Sequence, residues 1–573
     1  MGISRKVTVL AAMVAVATVA ATAQEADEST EEATVAEIIA VDTTDDSGFG
    51  DFGGDDGFGG FDDGGFSGFG GGFDDFSSGG GSVEPMIAFS GSAETSARLY
   101  PRRADSNYDT YDYDTSFGSF KDKATGANAV FTLGATYSGA YSDFDAKLKF
   151  SKDVLEKYPE DVLEEFTARV YLGNFQLEVG KMKLVWGKGD KVHVLDNFNS
   201  NDYTDFIVPD YIDRRLALPM LHAVYNAPMN VRLEAVVTPW MTPDRLAADG
   251  MWQPAATAKL TDMVTQMLSD NLAAKFAAYN EALSSASPEA AAKAYMDALT
   301  ATSSFDAASL YPDTHTLKYA QGGVRTTFTI GSVDLGASYY VGHYKQPSAN
   351  LQKTILYKIA QERREPADGN IMDSLPELGY DRLQVFGLEA ATVIGPLNTR
   401  AEFAYNLTND VAGDDPWVKN NSIAWEAGFD IDLPIHNVNF NFQTTGRYVL
   451  HKDKIEDGGI KNGDVTVPFS MLEKLGYENY DVDYDVTGKY SRNQLIVDIT
   501  DSFNNEKTKV ELKGIYQLET KDLMVLPSVS FRLGGDDFTL SLSGLIIWCY
   551  DEDSEYYAWR NNDFASVGIK YRF

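Results

Sequence analysis

The chain has 573 residues, 12% of them aromatic, and a formal net charge of −37. That charge excludes nucleic acid as a partner and simple electrostatic adhesion to an anionic surface. A mean hydropathy of −0.26 disfavours a bundle of membrane helices, and a single cysteine, Cys549, excludes an intramolecular disulfide framework.

Residues 1–23 read as a secretory signal peptide. Arg5 and Lys6 precede the short apolar run VTVLAAMVAVATVAA, and Ala21-Thr22-Ala23 gives a small-x-small cleavage site before Gln24. Residues 24–84 read as a disordered acidic leader rich in Gly, Phe and Asp, because dense Gly fixes no backbone and dense Asp repels itself. Two roles are open to it: a solvated periplasmic tether, or a set of Phe stickers for a neighbour, a partner or a lumen.

From residue 85 to 573 the texture is short alternating segments. SIAWEAGFDID places Ile423, Trp425, Ala427, Phe429 and Ile431 on one face, with Glu426, Gly428, Asp430 and Asp432 on the other. VDLGASYYVG, FTLSLSGLIIWCY, VNFNFQTTG, VFTLGATYS and DFDAKLKF repeat the theme. Alternation alone is also compatible with a soluble sandwich. Turn lengths separate the two. Short links such as Leu172-Gly173-Asn174-Phe175 and Ile330-Gly331-Ser332-Val333 alternate with long acidic connections near 101–127, 186–216, 240–316, 345–379 and 451–490. That is the threading of an all-β, transmembrane, antiparallel up-and-down barrel of about 16–18 strands.

If the apolar faces meet lipid, the opposite faces line a lumen. The wall candidates are Arg169, Glu178, Arg232, Glu234, Arg325, Arg400 and Glu402, each either a solvated wall residue or a selectivity determinant. The connection after the fifth strand, VWGKGDKVHVLDNFNSNDYTDFIVPDYIDRRLALPML, is long yet aromatic, so it should fold against something, and the lumen is the nearest protected place. Folded inward it would offer Asp190, Asp196, Asp202, Asp205, Asp210 and Asp213 beside Arg214 and Arg215 as a pore constriction. The same loop, DSNYDTYDYD near 105–114 and ENYDVDYD near 478–485 carry hard oxygens suited to Ca²⁺, although none has EF-hand spacing. No other cofactor is expected.

Within the long connection near 240–316, Leu260, Met263, Met267, Leu272, Phe276 and Tyr279 recur at helical spacing, and Ser287-Pro288-Glu289 starts a second helix. A helical hairpin over about 255–303 follows, inserted in an extracellular loop as a lid or as a face for a surface partner. The histidines, His193, His222, His315, His343, His436 and His451, fall in no nucleophile motif, so no enzyme is expected.

The final strand, FASVGIKYRF, resembles the terminal signature of bacterial outer-membrane barrels at Ile569, Tyr571 and Phe573, which implies recognition by the outer-membrane assembly machinery. The W-G-x-G-D, D-N-x-N-x-x-D-Y and R-R-x-x-x-P-M runs look like a stretch of poorly characterised outer-membrane barrel families, and the whole resembles porins. The resemblance implies a channel in the outer membrane of a diderm bacterium for passive diffusion of small hydrophilic solutes, with the leader in the periplasm and a homo-oligomer as one option. The acidic balance adds the expectation that anions are disfavoured. The alternative is a surface-exposed barrel with a plugged lumen, whose acidic loops and helical hairpin bind a ligand or partner.

Overall fold

The computed structural model describes residues 86–101, 128–205, 213–247, 251–283, 289–303, 305–362, 371–415, 417–456, 459–462, 465–468, 490–534, 537–550 and 554–573. The expected signal peptide and leader, the acidic runs at 105–114 and 478–485, Asp210 and the Ser287-Pro288 helix start lie outside those residues.

An 18-stranded antiparallel sheet closes on itself as a barrel. Its strands in chain order are β1 (Met86–Leu99), β2 (Asn128–Ser138), β3 (Ser142–Phe150), β4 (Leu163–Leu172), β5 (Phe175–Met182), β6 (Leu218–Ala227), β7 (Val231–Thr238), β8 (Gln321–Ile330) and β9 (Val333–His343). They continue with β10 (Arg382–Ile394), β11 (Leu397–Thr408), β12 (Ser422–Asp432), β13 (Asn439–Val449), β14 (Ser491–Phe503), β15 (Thr508–Gln517), β16 (Leu523–Leu533), β17 (Phe538–Trp548) and β18 (Phe564–Arg572). Each pairs with its chain neighbour, and β1 closes the ring on β18 from Ser92↔Arg572 to Leu99↔Ala565. The terminal Phe573 takes part in the closure: its N–H donates to Gly91 O and its carbonyl accepts from Gly91 N, both at 2.9 Å.

Exposure along one strand decides which side is which. In β10, Leu388 is 59% exposed and the next residue, Glu389, 4%. A soluble sandwich would bury the leucine and wet the glutamate. Here the charged face is the interior and the apolar face points outward, as at Val179, Val237, Val324 and Trp548, all more than half exposed. A band of that kind is stable against hydrocarbon rather than water.

One barrel end carries the tight links 139–141, 173–174, 228–230, 331–332 and 395–396, then 433–438, 504–507 and 534–537. Gly331 (φ 65°) and the pair Met229 (φ 65°) and Asn230 (φ 57°) supply left-handed backbone in these turns. The other end carries most of the long connections, including 183–217, 239–320, 344–381 and 450–490.

Helix α1 (Ala255–Ala282) and helix α2 (Glu289–Ser303) sit in the 239–320 connection. Tyr295 of α2 stacks on Tyr279 of α1, centroids 6.0 Å apart. Met263, Val264, Met267 and Leu268 of α1 pack on Leu351, on Ile355 of α3 (Gln352–Glu362) and on Ile371 and Leu375. The apolar face of the hairpin is therefore covered by the 344–381 connection. None of the described helices is long and apolar enough to cross a membrane.

Candidate functional site

The site is built on the inward-facing positions of β4 to β14. Strand register sets neighbouring residues opposite one another: Arg169↔Glu178, Glu178↔His222, Glu234↔Arg325, Glu389↔Glu402 and Glu402↔Glu426 are Cα partners on adjacent strands. Their side chains form a belt of alternating charge. Arg169 Nε donates to Glu178, and His222 bonds Glu178 through Nδ1 (2.8 Å) and Glu234 through Nε2 (3.2 Å). Both ring nitrogens thus face carboxylates, an arrangement that a doubly protonated ring satisfies. Arg325 donates from Nη1 to Glu234 (3.2 Å) and from Nη2 to Glu389 (2.8 Å). Gly336 of β9, the Cα partner of Glu389, makes that last reach possible, since a Cβ there would overlap the Glu389 side chain.

Beyond Glu389 the alternation stops. Glu402 and Glu426 follow in register, so three glutamates stand side by side, each below 5% exposed. Like charges directly opposite one another repel, and the compensating donors come from the 183–217 connection. Glu402 Oε1 accepts from Gly189 N (2.6 Å) and lies 2.8 Å from His193 Nδ1; its Oε2 accepts from Val194 N (2.8 Å) and Leu195 N (3.2 Å). Glu426 has neither oxygen hydrogen-bonded by the protein.

The described residues of the 183–217 connection run inside the barrel, from the β5–β6 side across to β14. Toward the long-loop end they rest on an apolar layer: Leu184, Trp186, Leu195 and Phe198 pack against Leu218 and Met220 of β6, Val236 of β7, Tyr340 of β9 and Leu383 and Val385 of β10. Trp186, Phe198 and Tyr340 meet edge to face, with centroids 5.0 and 5.1 Å apart. Gly323 of β8 leaves room for them; a Cβ there would lie 2.9 Å from both Trp186 and Phe198. Asn199 clamps the base of the connection, accepting from Leu184 N (2.8 Å) and donating to Met182 O (3.0 Å) and Leu216 O (2.9 Å). Across the lumen, Lys191 reaches Asp498 of β14 at 3.0 Å.

Asp190, Asp196, Asp202 and Asp205 do not converge on a single ring. Asp190 accepts from Asn441 and pairs with Arg400 at 3.0 Å, against β11 and β13. Asp196 pairs with buried Arg215, whose Nη1 also donates to Asn199 O (2.9 Å). Asp202 takes Arg245 Nη1 at 3.0 Å, and Asp205 takes Arg98 of β1 at 3.0 and 2.6 Å. Arg214, after Asp213 in a turn, lies 5.5 Å from the centre of the Tyr203 ring. Arg232 donates to Glu234 at 3.3 Å, which puts all seven wall candidates in the ion-paired interior. Ile569, Tyr571 and Phe573 fall on the opposite face of β18 from Lys570, which pairs inward with Glu94 at 2.8 Å.

A second apolar cluster sits on the last strands of the barrel. Met524, Leu526, Leu545, Ile547 and Phe564 of β16 to β18 pack with Trp252 from the 239–320 connection and with Tyr556 and Trp559. Between the connections, Gln321 joins Lys345, Tyr340 (2.6 Å) and Thr238 (3.0 Å). Burial pulls the Lys345 ammonium down to about 7 and raises the nearby Asp244 carboxyl. Among the described residues no group of three or more His, Cys, Asp or Glu side chains is placed to hold a metal.

Read from the sequence, His222 and His193 appear only as histidines outside any nucleophile motif, and Glu389, Lys191 and Gln321 are not singled out, so all five are missed as members of the interior network. One signal was available. Leu383 and Val385 lie on the same face as Glu389, so that face of β10 is apolar at its long-loop end, which marks a lumen with something packed in it.

No family model and no curated protein matches the chain. Solved structures do. OccK11 (OpdR) of Pseudomonas aeruginosa aligns at 8% identity over 85% of this chain and 96% of that one, with a TM-score of 0.38. OccAB4 of Acinetobacter baumannii aligns at 9% over 86% and 98%, TM-score 0.39. Wzi of Escherichia coli, a carbohydrate-binding β-barrel involved in group 1 capsule assembly, aligns at 11% over 85% and 84%, TM-score 0.38.

Proposed function

We propose that this chain is an outer-membrane, porin-like channel for passive diffusion of small hydrophilic solutes that disfavours anions. The observation carrying this reading is the closed barrel with an apolar exterior and a charge-lined interior, crossed by an in-folded connection. Opposed carboxylates and cations on such a wall make a transverse field that sorts permeants by charge and size. The 183–217 connection is the constriction in this reading, and Glu389, Glu402 and Glu426 weight the wall toward cations. The signal peptide and terminal strand take the chain to the outer membrane of a diderm bacterium through its assembly machinery. The acidic runs of the long connections are the places for Ca²⁺, and self-association is a further element of the proposal.

The test is purified, folded protein in a planar bilayer under a salt gradient. Stable conductance with a cation-leaning reversal potential is expected, and an anion-leaning potential sinks the charge preference. Silence from folded protein overturns the channel. It would favour the second reading, a plugged barrel that binds ligands through its loops, to which the two interior apolar clusters lend support.

A further inference from the structure

We infer that Glu402 is the latch that holds residues 187–195 of the 183–217 connection inside the barrel, a positioning residue whose release would widen the path; this rests on the channel reading above. Glu402 sits on β11, more than two hundred residues along the chain from the segment it grips, and its side chain is 0% exposed. One carboxylate gathers three backbone N–H groups and the His193 ring. No wall residue offers a donor of that kind to Glu402 in the described contacts, so its partners all move with the connection.

The W-G-x-G-D run is shaped for this grip. Trp186 anchors in the apolar layer, and Gly187 has a φ of 118°, with any Cβ overlapping the Glu402 carboxylate. A Cβ on Gly189 would lie 2.3 Å from the connection's own Val192 O and 2.9 Å from Glu402 Oε1. A side chain at Gly187 would push the connection off the wall. The neighbouring Glu426 gives the inward position a counterweight: it is 1% exposed with neither oxygen hydrogen-bonded by the protein, and the Asp190 carboxylate of the connection repels it. The latch and the stranded carboxylate pull in opposite directions, which makes the position of this segment adjustable by single residues.

The experiment uses the full chain with Cys549→Ser and Val194→Cys, so that a small thiol reagent reports on the connection. Val194 contributes only its backbone N–H to the latch. Glu402→Gln replaces one acceptor oxygen with a donor facing other donors. The expected result is labelling at position 194 faster by about tenfold or more, with larger and noisier single-channel currents, in protein that keeps its folded mobility on an unheated gel. Unchanged labelling in folded E402Q overturns the latch. Faster labelling with wild-type currents overturns its role in setting the opening. Faster labelling where neither protein conducts supports the latch and brings down the channel reading instead. If E402Q fails to assemble, Gly187→Ala attacks the same contact from the loop side and is read the same way.

Discussion

Replacing Arg325 with Met should destabilise the barrel by about 3–5 kcal/mol, because it strands the buried Glu389 carboxylate and takes one of three partners from Glu234. The Arg325 side chain is 8% exposed and bridges the side chains of Glu234, 0% exposed, and Glu389, 1% exposed, across β7, β8 and β10. Met keeps most of the volume, so the loss is electrostatic rather than a cavity. The same reasoning sets the size of the rescue. Adding Glu389→Gln removes one stranded charge, and the double variant should recover about 1–2 kcal/mol relative to the sum of the singles. Glu234 keeps His222 and Arg232 as partners, so the stranded charge is mainly Glu389, and recovery stays partial because the Arg325–Glu234 hydrogen bond is not restored. The assay is reversible denaturant unfolding of folded protein in detergent, followed by mobility on unheated gels. A loss below about 1 kcal/mol for R325M, or strictly additive singles, would refute a charge belt whose members depend on one another.

Glu426→Gln should stabilise the folded protein by about 1–3 kcal/mol in the same assay, since an unbonded buried carboxylate is replaced by a neutral amide; destabilisation would show a partner at Glu426. Trp186→Ala should cost about 3–5 kcal/mol by opening a cavity among Phe198, Tyr340 and Met220, and a loss under about 1 kcal/mol would mean the apolar layer is loosely packed. Lys345 gives a pH signature. Its ammonium is held at about 7 when folded and titrates near about 10.4 when unfolded. Between those values the unfolded chain binds more protons, so stability rises with pH there and is flat outside. Lys345 is only partly buried and faces Asp244, Asp196 and Arg215, so a rise of about 1–2 kcal/mol from about pH 7 to about pH 9 is expected in wild type and absent in Lys345→Met. Equal pH profiles for the two proteins would remove Lys345 from the explanation.

The sequence by itself determined the barrel. Period-two alternation needs only the geometry of a single strand, and turn chemistry is local, so β12 and β9, most of the tight links and the α1–α2 hairpin could be read from a few residues each. The inward side of Arg169, Glu178 and Glu402 followed from the same parity. Partnership was decided by tertiary structure alone. Glu402 meets Gly189 and His193 across 213 and 209 residues, and Lys191 reaches Asp498 on the far wall. No local pattern encodes such a distance. A run of aspartates from Asp190 to Asp213 looks like one acidic surface in the sequence. In three dimensions Asp190, Asp196, Asp202 and Asp205 turn to separate cations on the wall, on a neighbouring connection and within the segment itself, because a buried carboxylate is stable only where a donor meets it.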